Sequence, residues 1–491
     1  AKGLKTDKKE KWYGTQYSYV EEKGKFFESL QKPSVPNSIH LPLPNPFLPK
    51  RLGIYRERPV LIAKNRYYTL WYGQDLEFRR PKVSIMLHIL TPNAYNTLRN
   101  AVLMNLYVSI IREKLNEFSY PAMMAGLVYN LNNTKKGVLL GVQGYSDSAM
   151  KLLSMVSKEL VSLEIDDKLF KRVKERMSQS LENFAFSQAY MISREATRKM
   201  MLRKYYSPSE MLGQLKKLDL EDLKFFISGL YREAYIEGLG YGNLLAEDLK
   251  KTVRHLVKNL HYRPLPRNKV FRDETLWLEK GKTYFYYQDL ITGNSCLRID
   301  YQMGMADLKT AAATWILDRA LRNAFYTEMR TRQMLGYIVF SGSYERQNIM
   351  NLVFIIQSGT HPAYDLYVRA DKFIAQIPKL LEKLPDRYFE AVRRSLIQDR
   401  QKKAKTIFEK ASLFYYLAFN RKGDFDRIDK EIEALKKVTK EDVIQLARRG
   451  LSESGRRRIV VLLNGKGHKK PEKLNAVKDI EKFHKGKTFV K

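Results

Sequence analysis

Cysteine is almost absent from this sequence, since Cys296 is the single one among 491 residues. One thiol excludes an internal disulfide framework and favours a reducing compartment, cytoplasmic or mitochondrial. Long apolar runs are missing too. No stretch reaches the roughly 18 residues that a transmembrane helix needs, so no membrane span is predicted. No signal peptide opens the chain, and its start at Ala1 indicates a fragment or a processed chain.

Acidic residues are scarce relative to basic ones. Asp and Glu total 53 against 88 Lys and Arg, which gives a formal net charge of +35. Such an excess attracts polyanions, acidic peptides or anionic membranes. The charges are spread along the chain, and neither a zinc-finger spacing nor an RNP-like aromatic motif is present. Specific nucleic-acid binding is therefore not predicted.

The sequence also lacks the spacings that carry catalysis. None of its seven histidines stands in H-x-x-H, H-E-x-x-H or H-x-x-E-H, so no zinc site is predicted within this chain. His88 is expected to be structural, whereas His468 and His484, in a basic tail, are expected to be solvated. Cys296 begins an alternating strand and is predicted to be buried packing. No G-x-S-x-G and no P-loop occurs.

What the sequence does have is an ample supply of core residues. It contains 31 tyrosines and 23 phenylalanines, and 44% of its residues are hydrophobic. That composition is typical of a packed globular protein and excludes a disordered one. A chain of this length exceeds one ordinary core, so two or more domains are expected.

The chain repeats itself. Five short segments recur in the same order about 210 to 220 residues later, which predicts two homologous domains. The pairs are YGQDL at 72–76 with YYQDL at 286–290, the segments around Gly126 and Gly336, those around Gln143 and Gln357, those beginning at Phe170 and Phe389, and those ending at Leu223 and Val443.

Each repeat shows strands, a long helix, two more strands and a set of closing helices. LRIDYQM at 297–303 alternates apolar and polar residues, which predicts a half-buried strand. The segment 306–330 has no proline and predicts the long helix. SPSEML and TKEDV open with Ser or Thr and an acid three residues on, the capping pattern. The predicted fold class is α+β: two homologous domains, each a mainly antiparallel sheet with helices packed on one face.

Three regions follow from these patterns. Residues 1–56 are an N-terminal segment that ends in a proline-rich linker at 31–53. The first repeat is predicted at 57–262 and the second at 263–491. The lysine-rich tail after residue 464 is expected to lie on the surface.

Several long segments, taken together, resemble the C-terminal half of the insulysin–pitrilysin family of zinc metallopeptidases. The likeness runs from near residue 5 to the tail. The segments are EKWYGTQY at 10–17, LPLPNPFLPKRL at 41–52, LWYGQDLEFRRPK at 70–82, LNEFSYPAMMAGLVYNL at 115–131, RTRQMLGYIVFSG at 330–342 and VKDIEKFHKG at 477–486.

The resemblance implies an architecture and a partner. Family members have four homologous α+β domains in two bowl-shaped halves that enclose a chamber, with H-x-x-E-H in the first domain. It implies that this chain is the last two domains. Zinc would be bound by the N-terminal half, covalently joined or a separate chain, and not by this chain. The substrates would be peptides, cleaved only when both halves are present.

The resemblance also implies site residues. In the family, an arginine and a tyrosine from R-T-x-x-x-L-G-Y project into the chamber beside the zinc and contact the bound peptide. Those positions here are Arg330 and Tyr337. The middle of the motif departs from the family pattern, because Arg332, Gln333 and Met334 stand where an acid and a glutamine are usual. This departure affects substrate preference and local pairing.

Structural interpretations of the same two residues remain open. Arg330 also fits a solvated cation at a helix end, where the macrodipole favours positive charge. Tyr337 also fits a core aromatic at a strand start. At the equivalent positions of the first repeat stand Ser119 or Tyr120, and Leu127, so the fold itself does not demand arginine and tyrosine.

A second candidate site is RQKKAK at 400–405. It resembles the lysine-rich helix by which family members hold polyanions such as ATP, and Arg400, Lys403 and Lys405 fall on the matching pattern. A charge run on a solvated helix face is the alternative.

Three functional hypotheses follow. The first is the non-catalytic half of a zinc metalloendopeptidase, inactive alone, which forms the chamber wall and contributes Arg330 and Tyr337. The second is a catalytically inactive homologue that acts as a structural or assembly subunit. The third is a polyanion-binding protein that uses the positive charge.

Overall fold

The computed structural model describes residues 3, 5–19, 21, 23–31 and 58–491. The chain divides into two compact units, residues 1–56 and 57–491. Apart from its first residue, the linker predicted at 31–53 lies outside the described residues, as does the segment 41–52 that shares the family resemblance.

The first unit contains a small antiparallel hairpin followed by a short helix. None of its described residues is buried, and Trp12 and Tyr13 are largely exposed. Its elements are β1 (Lys8–Lys9), β2 (Gln16–Tyr17) and α1 (Lys25–Gln31).

The second unit holds two large sheets with their helices and one further two-stranded sheet, and each repeat supplies one of the large sheets. The first repeat contains β3 (Val60–Lys64), β4 (Tyr68–Gln74), β5 (Lys82–Leu90), α2 (Leu98–Met124), β6 (Val128–Thr134), β7 (Gly137–Tyr145), α3 (Ser146–Val161), α4 (Asp167–Asn183), α5 (Ala189–Met201), α6 (Pro208–Lys216), α7 (Leu220–Leu230), β8 (Glu233–Gly242) and α8 (Ala246–Leu260).

The second repeat follows two short strands, β9 (Arg263–Pro264) and β10 (Thr275–Leu276), and repeats the same order of elements. It contains β11 (Lys282–Asp289), β12 (Ser295–Met305), α9 (Leu308–Tyr326), β13 (Ile338–Arg346), β14 (Ile349–Ser358), α10 (Ala363–Glu382), α11 (Asp386–Gln401), α12 (Ile407–Tyr415), α13 (Arg427–Lys437), α14 (Lys440–Leu451), β15 (Arg457–Asn464), α15 (Ile480–His484) and β16 (Phe489–Val490).

The two sheets share one topology. The first has the order β3-β4-β8-β5-β7-β6, with β9 also paired to β8, and the second has the order β11-β15-β12-β14-β13. The second sheet therefore lacks equivalents of β3 and β9. The pairings β4–β8 and β11–β15 are parallel, and the other pairings along these two orders are antiparallel. Even the register repeats, since Val128 lies opposite Gln143 and Ile338 opposite Gln357. The predicted α+β class and mainly antiparallel sheets are confirmed.

Most helices of each repeat pack on one face of its own sheet, where they build the two large cores. The equivalent residues Phe170 and Phe389 both belong to these cores. Capping boxes at Ser207 and Thr439 start α6 and α14, as the sequence pattern predicts. The boundary between the repeats at residue 262 stays a prediction, because both sheets lie within one compact unit.

One helix of each repeat crosses to the other repeat's sheet. Ala189, Ala196 and Met200 of α5 pack with Cys296 and Val461 on the second face of the second sheet. In return, α12 packs on the second face of the first sheet, where Ala411 and Phe414 join Leu239 and Tyr241. Helices therefore cover both faces of each sheet, whereas one covered face was predicted.

This exchange corrects the prediction for strand β12. Its polar residues Arg298, Asp300 and Gln302 are at most 6% exposed, so the strand is buried on both faces and not on one. Their polar groups are satisfied within the protein. Arg298 donates to both carboxylate oxygens of Asp300 at 2.6 and 2.8 Å, and Tyr344 and Thr197 of α5 also donate to that carboxylate.

Two further predictions need correction. The long helix predicted at 306–330 is α-helical only over Leu308–Tyr326 and continues as a π-helical segment over Thr327–Arg332. The tail after residue 464 was predicted to lie on the surface. It keeps exposed lysines, but several of its apolar residues are partly buried against the rest of the unit. Val477 donates a backbone hydrogen bond to Phe285, and Phe483 packs beside Tyr284. The tail thus covers the edge of β11.

Candidate functional site

Arg330 and Tyr337 lie where α9 gives way to β13. Arg330 falls in the π-helical segment Thr327–Arg332, in which each turn holds one residue more than an α-helix. Segments of this kind occur frequently at functional sites. Three residues lie between the end of this segment and the turn at Gly336, and Tyr337 comes immediately before β13 begins at Ile338.

The two side chains contact each other. The guanidinium carbon of Arg330 lies 4.6 Å from the ring centre of Tyr337 and 5.0 Å from that of Tyr326. Arg330 also donates a hydrogen bond to the Tyr326 hydroxyl. A cation held between two aromatic rings has fewer rotamers to lose when a ligand arrives. The arginine is therefore positioned before any peptide binds.

Tyr337 is 81% exposed, so it is not the core aromatic that the structural interpretation required. Its neighbours fix this orientation. Leu335 is fully buried, and its backbone N–H donates to Met329 at 3.0 Å. A Cβ atom at position 336 would lie 2.0 Å from the carbonyl oxygen of Gln357, so only glycine fits there. The backbone at Gly336 therefore lies directly against β14, and the side chain of Tyr337, the next residue, is exposed to solvent.

Gln357 ties this corner to the exchanged helix. Its side-chain oxygen accepts a hydrogen bond from the backbone N–H of Tyr190 at 3.0 Å, and its amide donates to Gln188 at 2.8 Å. Both partners lie at the N-terminal end of α5. The site is thus supported by an element from the first repeat, and the repeated glutamine has a structural role in this copy.

The departures at 332–334 have defined local roles. Gln333 donates to Glu328 at 3.0 Å and accepts from Arg369, while Arg332 forms an ion pair with Glu328 at 3.3 Å. Met334 takes a left-handed backbone conformation with φ of 51° and is 76% exposed. The predicted effect of these departures on substrate preference and local pairing stays a prediction, and none of the pairs just described includes Arg330 or Tyr337.

The first repeat shows what the fold alone requires at these positions. Leu127, the equivalent of Tyr337, is buried at 7% exposure, whereas Tyr120, the equivalent of Arg330, is exposed. The same turn can therefore bury its apolar residue in the core. The exposed tyrosine of the second repeat is a local feature of that copy. Sequence reasoning did not identify Tyr326, although its spacing of four residues from Arg330 on a helix was the available signal.

The second candidate site is only partly assembled as predicted. Helix α11 ends at Gln401, so Lys403 and Lys405 lie in the following loop and not on a helix. Both are exposed. Arg400 is committed elsewhere: it forms an ion pair with Glu431 at 3.1 Å and stacks 3.7 Å from the ring centre of Trp315. Polyanion binding by these three residues stays a prediction, and the structure leaves two of them facing solvent.

The donors of the described residues do not fit a zinc site. Among them, no group of three or more His, Cys, Asp or Glu side chains lies close enough to hold a metal ion. Burial lowers the pKa of His88 to about 3, and its ring contacts Thr134 at 2.9 Å. His468 and His484 were predicted to be solvated, which is wrong. His468 contacts Ser295 at 2.6 Å, and His484 contacts the Met200 carbonyl at 2.8 Å.

Cys296 is fully buried against α5, and burial raises the pKa of its thiol to about 12. It is therefore a packing residue, as predicted, because a nucleophilic thiol needs its thiolate form. No helix among the residues that the structure describes is long and apolar enough to cross a membrane.

Comparisons with known proteins agree with this geometry. A family model described as "Middle or third domain of peptidase_M16" matches residues 1–214. Another, described as "PQQ synthase PqqF-like, C-terminal lobe domain 4", matches residues 316–415. Insulin-degrading enzyme of Homo sapiens is 30% identical over 465 residues, which are 92% of this chain and 46% of that protein. These matches support an M16-family protein that corresponds to the C-terminal half.

The chain spans about half the length of the curated relatives that it matches. The A-factor-processing enzyme of Saccharomyces cerevisiae is 25% identical over 458 residues, covering 90% of this chain and 44% of the relative. The crystal structure of pitrilysin superposes with a TM-score of 0.78 at 19% identity, over 92% of this chain and 49% of that one. The pitrilysin match establishes the fold of the paired repeats. One relative, of Schizosaccharomyces pombe, carries the name "Putative zinc protease mug138" and is 26% identical over 90% of this chain and 46% of that protein.

Proposed function

We propose that this chain is the half of an M16 zinc metalloendopeptidase that does not carry the zinc. It forms a wall of the substrate chamber and acts with an N-terminal half, on the same polypeptide or on a separate chain. The observation that carries the proposal is the exposed Tyr337 with Arg330 stacked on its ring. Neither side chain serves the core of its own repeat, yet the turn at Gly336 holds both in place.

The chemistry of the pair suits peptide hydrolysis. When water adds to a peptide bond, negative charge develops on the carbonyl oxygen, and preorganised donors aimed at that oxygen lower the barrier. The phenol of Tyr337 supplies one such donor. The planar fork of Arg330 supplies parallel N–H groups that grip a neighbouring backbone carbonyl. Zinc in the other half would supply Lewis-acid chemistry.

The tyrosine is tested by Tyr337→Phe in the chain assembled with its zinc-bearing half. We expect kcat to fall by roughly 10²- to 10³-fold, because one oxyanion donor is lost. Folding, assembly and zinc content should be unchanged, since the exposed hydroxyl supports none of them. The measurements are steady-state kinetics on several peptides, circular dichroism and metal analysis.

A matched control is Tyr388→Phe, which removes a partly exposed hydroxyl on α11 far along the chain from the site. It should leave kcat within about twofold of the parent, as surface substitutions usually do. If Tyr337→Phe also retains parental turnover on every peptide, the tyrosine does not take part in the reaction. The structural-subunit hypothesis then becomes the better account.

Arg330 is tested by comparing alanine with lysine. We expect Arg330→Ala to lower kcat/KM, and Arg330→Lys to recover little, because an ammonium cannot reproduce a planar bidentate grip. Full recovery by lysine would show that charge alone is needed at this position.

A further inference from the structure

The exchanged helices create the same corner twice. In each repeat, four parts meet at one place. They are a turn at a glycine, the edge strand that follows it, a glutamine on the next strand, and the first turn of the helix that comes from the other repeat. In the second repeat these parts are Gly336, β13, Gln357 and α5, and hydrogen bonds from Gln357 close the corner. In the first repeat they are Gly126, β6, Gln143 and α12, and the corner is open.

The opening is a groove of about 830 Å³ between the first sheet and the start of α12. Its apolar part is formed by Val128, Tyr145 and Phe408, which are 41%, 45% and 37% exposed. The glycines shape it. A Cβ atom at Gly126 would lie 3.4 Å from the Tyr145 ring, and one at Gly144 would lie 2.5 Å from Leu127, so larger residues would fill or displace the wall.

The charged part of the groove has one sign. Arg80, Lys82 and Lys405 line it, and none of the described residues in its lining carries a carboxylate. The ammonium group of Lys82 lies 5.0 Å from the ring centre of Tyr145, so charge and aromatic surface adjoin. The nearby Glu409 carboxylate is already engaged by the backbone N–H of Lys405 at 2.7 Å. Cations beside apolar surface favour a ligand that carries carboxylates next to apolar side chains.

We propose that this groove is a second peptide-binding site, and that it takes an acidic segment with an aromatic or branched aliphatic side chain. The inference rests on the proposed function, since it adds a contact for the same class of substrate. An aromatic or aliphatic side chain packs on Tyr145 and Phe408, and flanking carboxylates meet Arg80, Lys82 and Lys405. A polyphosphate satisfies the cations but leaves the apolar surface unused.

The test measures binding to the 491-residue chain alone, by fluorescence anisotropy at low salt. Three labelled peptides of equal length are compared: one with Glu-Phe-Glu-Leu at its centre, one with Gln-Phe-Gln-Leu and one with Glu-Ser-Glu-Ser. We expect the first to bind at least about fivefold more tightly than either of the others, because each of the others lacks one of the two contacts. Tripolyphosphate serves as the competitor.

Variants locate the site. Phe408→Ser and Lys82→Gln should each weaken binding of the first peptide by about fivefold or more. The matched controls are Phe225→Ser, at an exposed aromatic residue on α7, and Lys251→Gln, at an exposed lysine on α8; both should change binding by less than twofold. Should Phe408→Ser fail to fold, Val128→Ser tests the same surface.

The outcomes are distinct. Equal binding of the three peptides, or variants that behave like their controls, would overturn the proposal. So would strong displacement by tripolyphosphate together with equal affinity for both glutamate peptides, since that result describes an anion patch. This assay involves no turnover and no second half, so its failure leaves the Tyr337 test intact, and the reverse is also true.

Discussion

Gly336 shows how strictly single residues constrain the site. A methyl group there would lie 2.0 Å from the Gln357 carbonyl oxygen, so Gly336→Ala must push β13 away from β14. We expect a loss of about 1–3 kcal/mol in unfolding free energy, typical of overpacking, and a fall in kcat because Tyr337 shifts with the turn. Urea denaturation and kinetics of the assembled enzyme measure the two effects.

Gly213→Ala is the matched control for that substitution. Gly213 lies within α6, and an added Cβ atom there has no neighbour within 4 Å. Alanine favours a helix over glycine by roughly 0.5–1 kcal/mol, so this variant should be slightly more stable than the parent. A Gly336→Ala protein as stable and as active as the parent would show that the turn relaxes freely.

His88 gives the chain a dependence of stability on pH. Burial lowers the pKa of its imidazole from 6.5 to about 3. Between these two pH values the imidazole binds a proton in the unfolded state and stays neutral in the folded state. The contribution of His88 to the free energy of unfolding is therefore fully present above pH 6.5 and is lost as the pH falls toward 3. The loss from this group amounts to about 1.4 kcal/mol per pH unit across that window.

The variant His88→Gln isolates this effect, because glutamine can still contact Thr134 but does not titrate. Denaturant unfolding of both proteins at pH 7, 6, 5 and 4 gives the comparison. We expect the parent to lose stability more steeply than the variant below pH 6.5. Parallel profiles for the two proteins would mean that the imidazole is accessible to protons in the folded state.

At the scale of elements, α5 lies within the first repeat in the sequence but packs against the sheet of the second repeat. Ala196 of α5 is fully buried against the second sheet, so Ala196→Asp places an unpaired charge there. We expect a loss of at least about 3 kcal/mol. Hydrogen exchange should accelerate in β12, β14 and β15, which lie about 100 to 270 residues further along the chain.

Met191→Asp on the same helix is the control, because Met191 is 43% exposed and an added carboxylate there remains hydrated. If Ala196→Asp instead accelerates exchange only in strands of the first repeat, α5 does not stabilise the second sheet in solution.

These elements mark the limit of what the sequence could predict. The repeat anchors, the capping residues and the order of elements along the chain follow from local patterns, and Phe170 and Phe389 were matched from them. The packing of α5 against the second sheet was not predictable, because an apolar helix face does not specify which sheet it covers. For the same reason Arg298 and Asp300, polar in an alternating strand, looked solvent-facing although they pair beneath α5. At the site, residues 330 and 337 were matched through a resemblance, whereas Tyr326 was overlooked although its four-residue spacing from Arg330 on a helix is a local signal.

At the scale of the whole molecule, the proposed function predicts that activity depends on a second half. Since the described residues offer no cluster suited to a metal, we expect the isolated chain to retain no stoichiometric zinc after dialysis and to cleave no peptide. Adding the zinc-bearing half should restore turnover. Metal analysis that finds one tightly held zinc per isolated chain, or peptide cleavage by the purified chain alone, would contradict this expectation.

The crossing of α5 and α12 also bears on whether the two repeats can be separated. Each sheet has its second face covered by a helix of the other repeat. Either repeat alone would therefore expose an apolar sheet face, as a subunit of a domain-swapped dimer does when it is separated from its partner. Cutting this chain at residue 262 should yield two pieces that reassociate or aggregate.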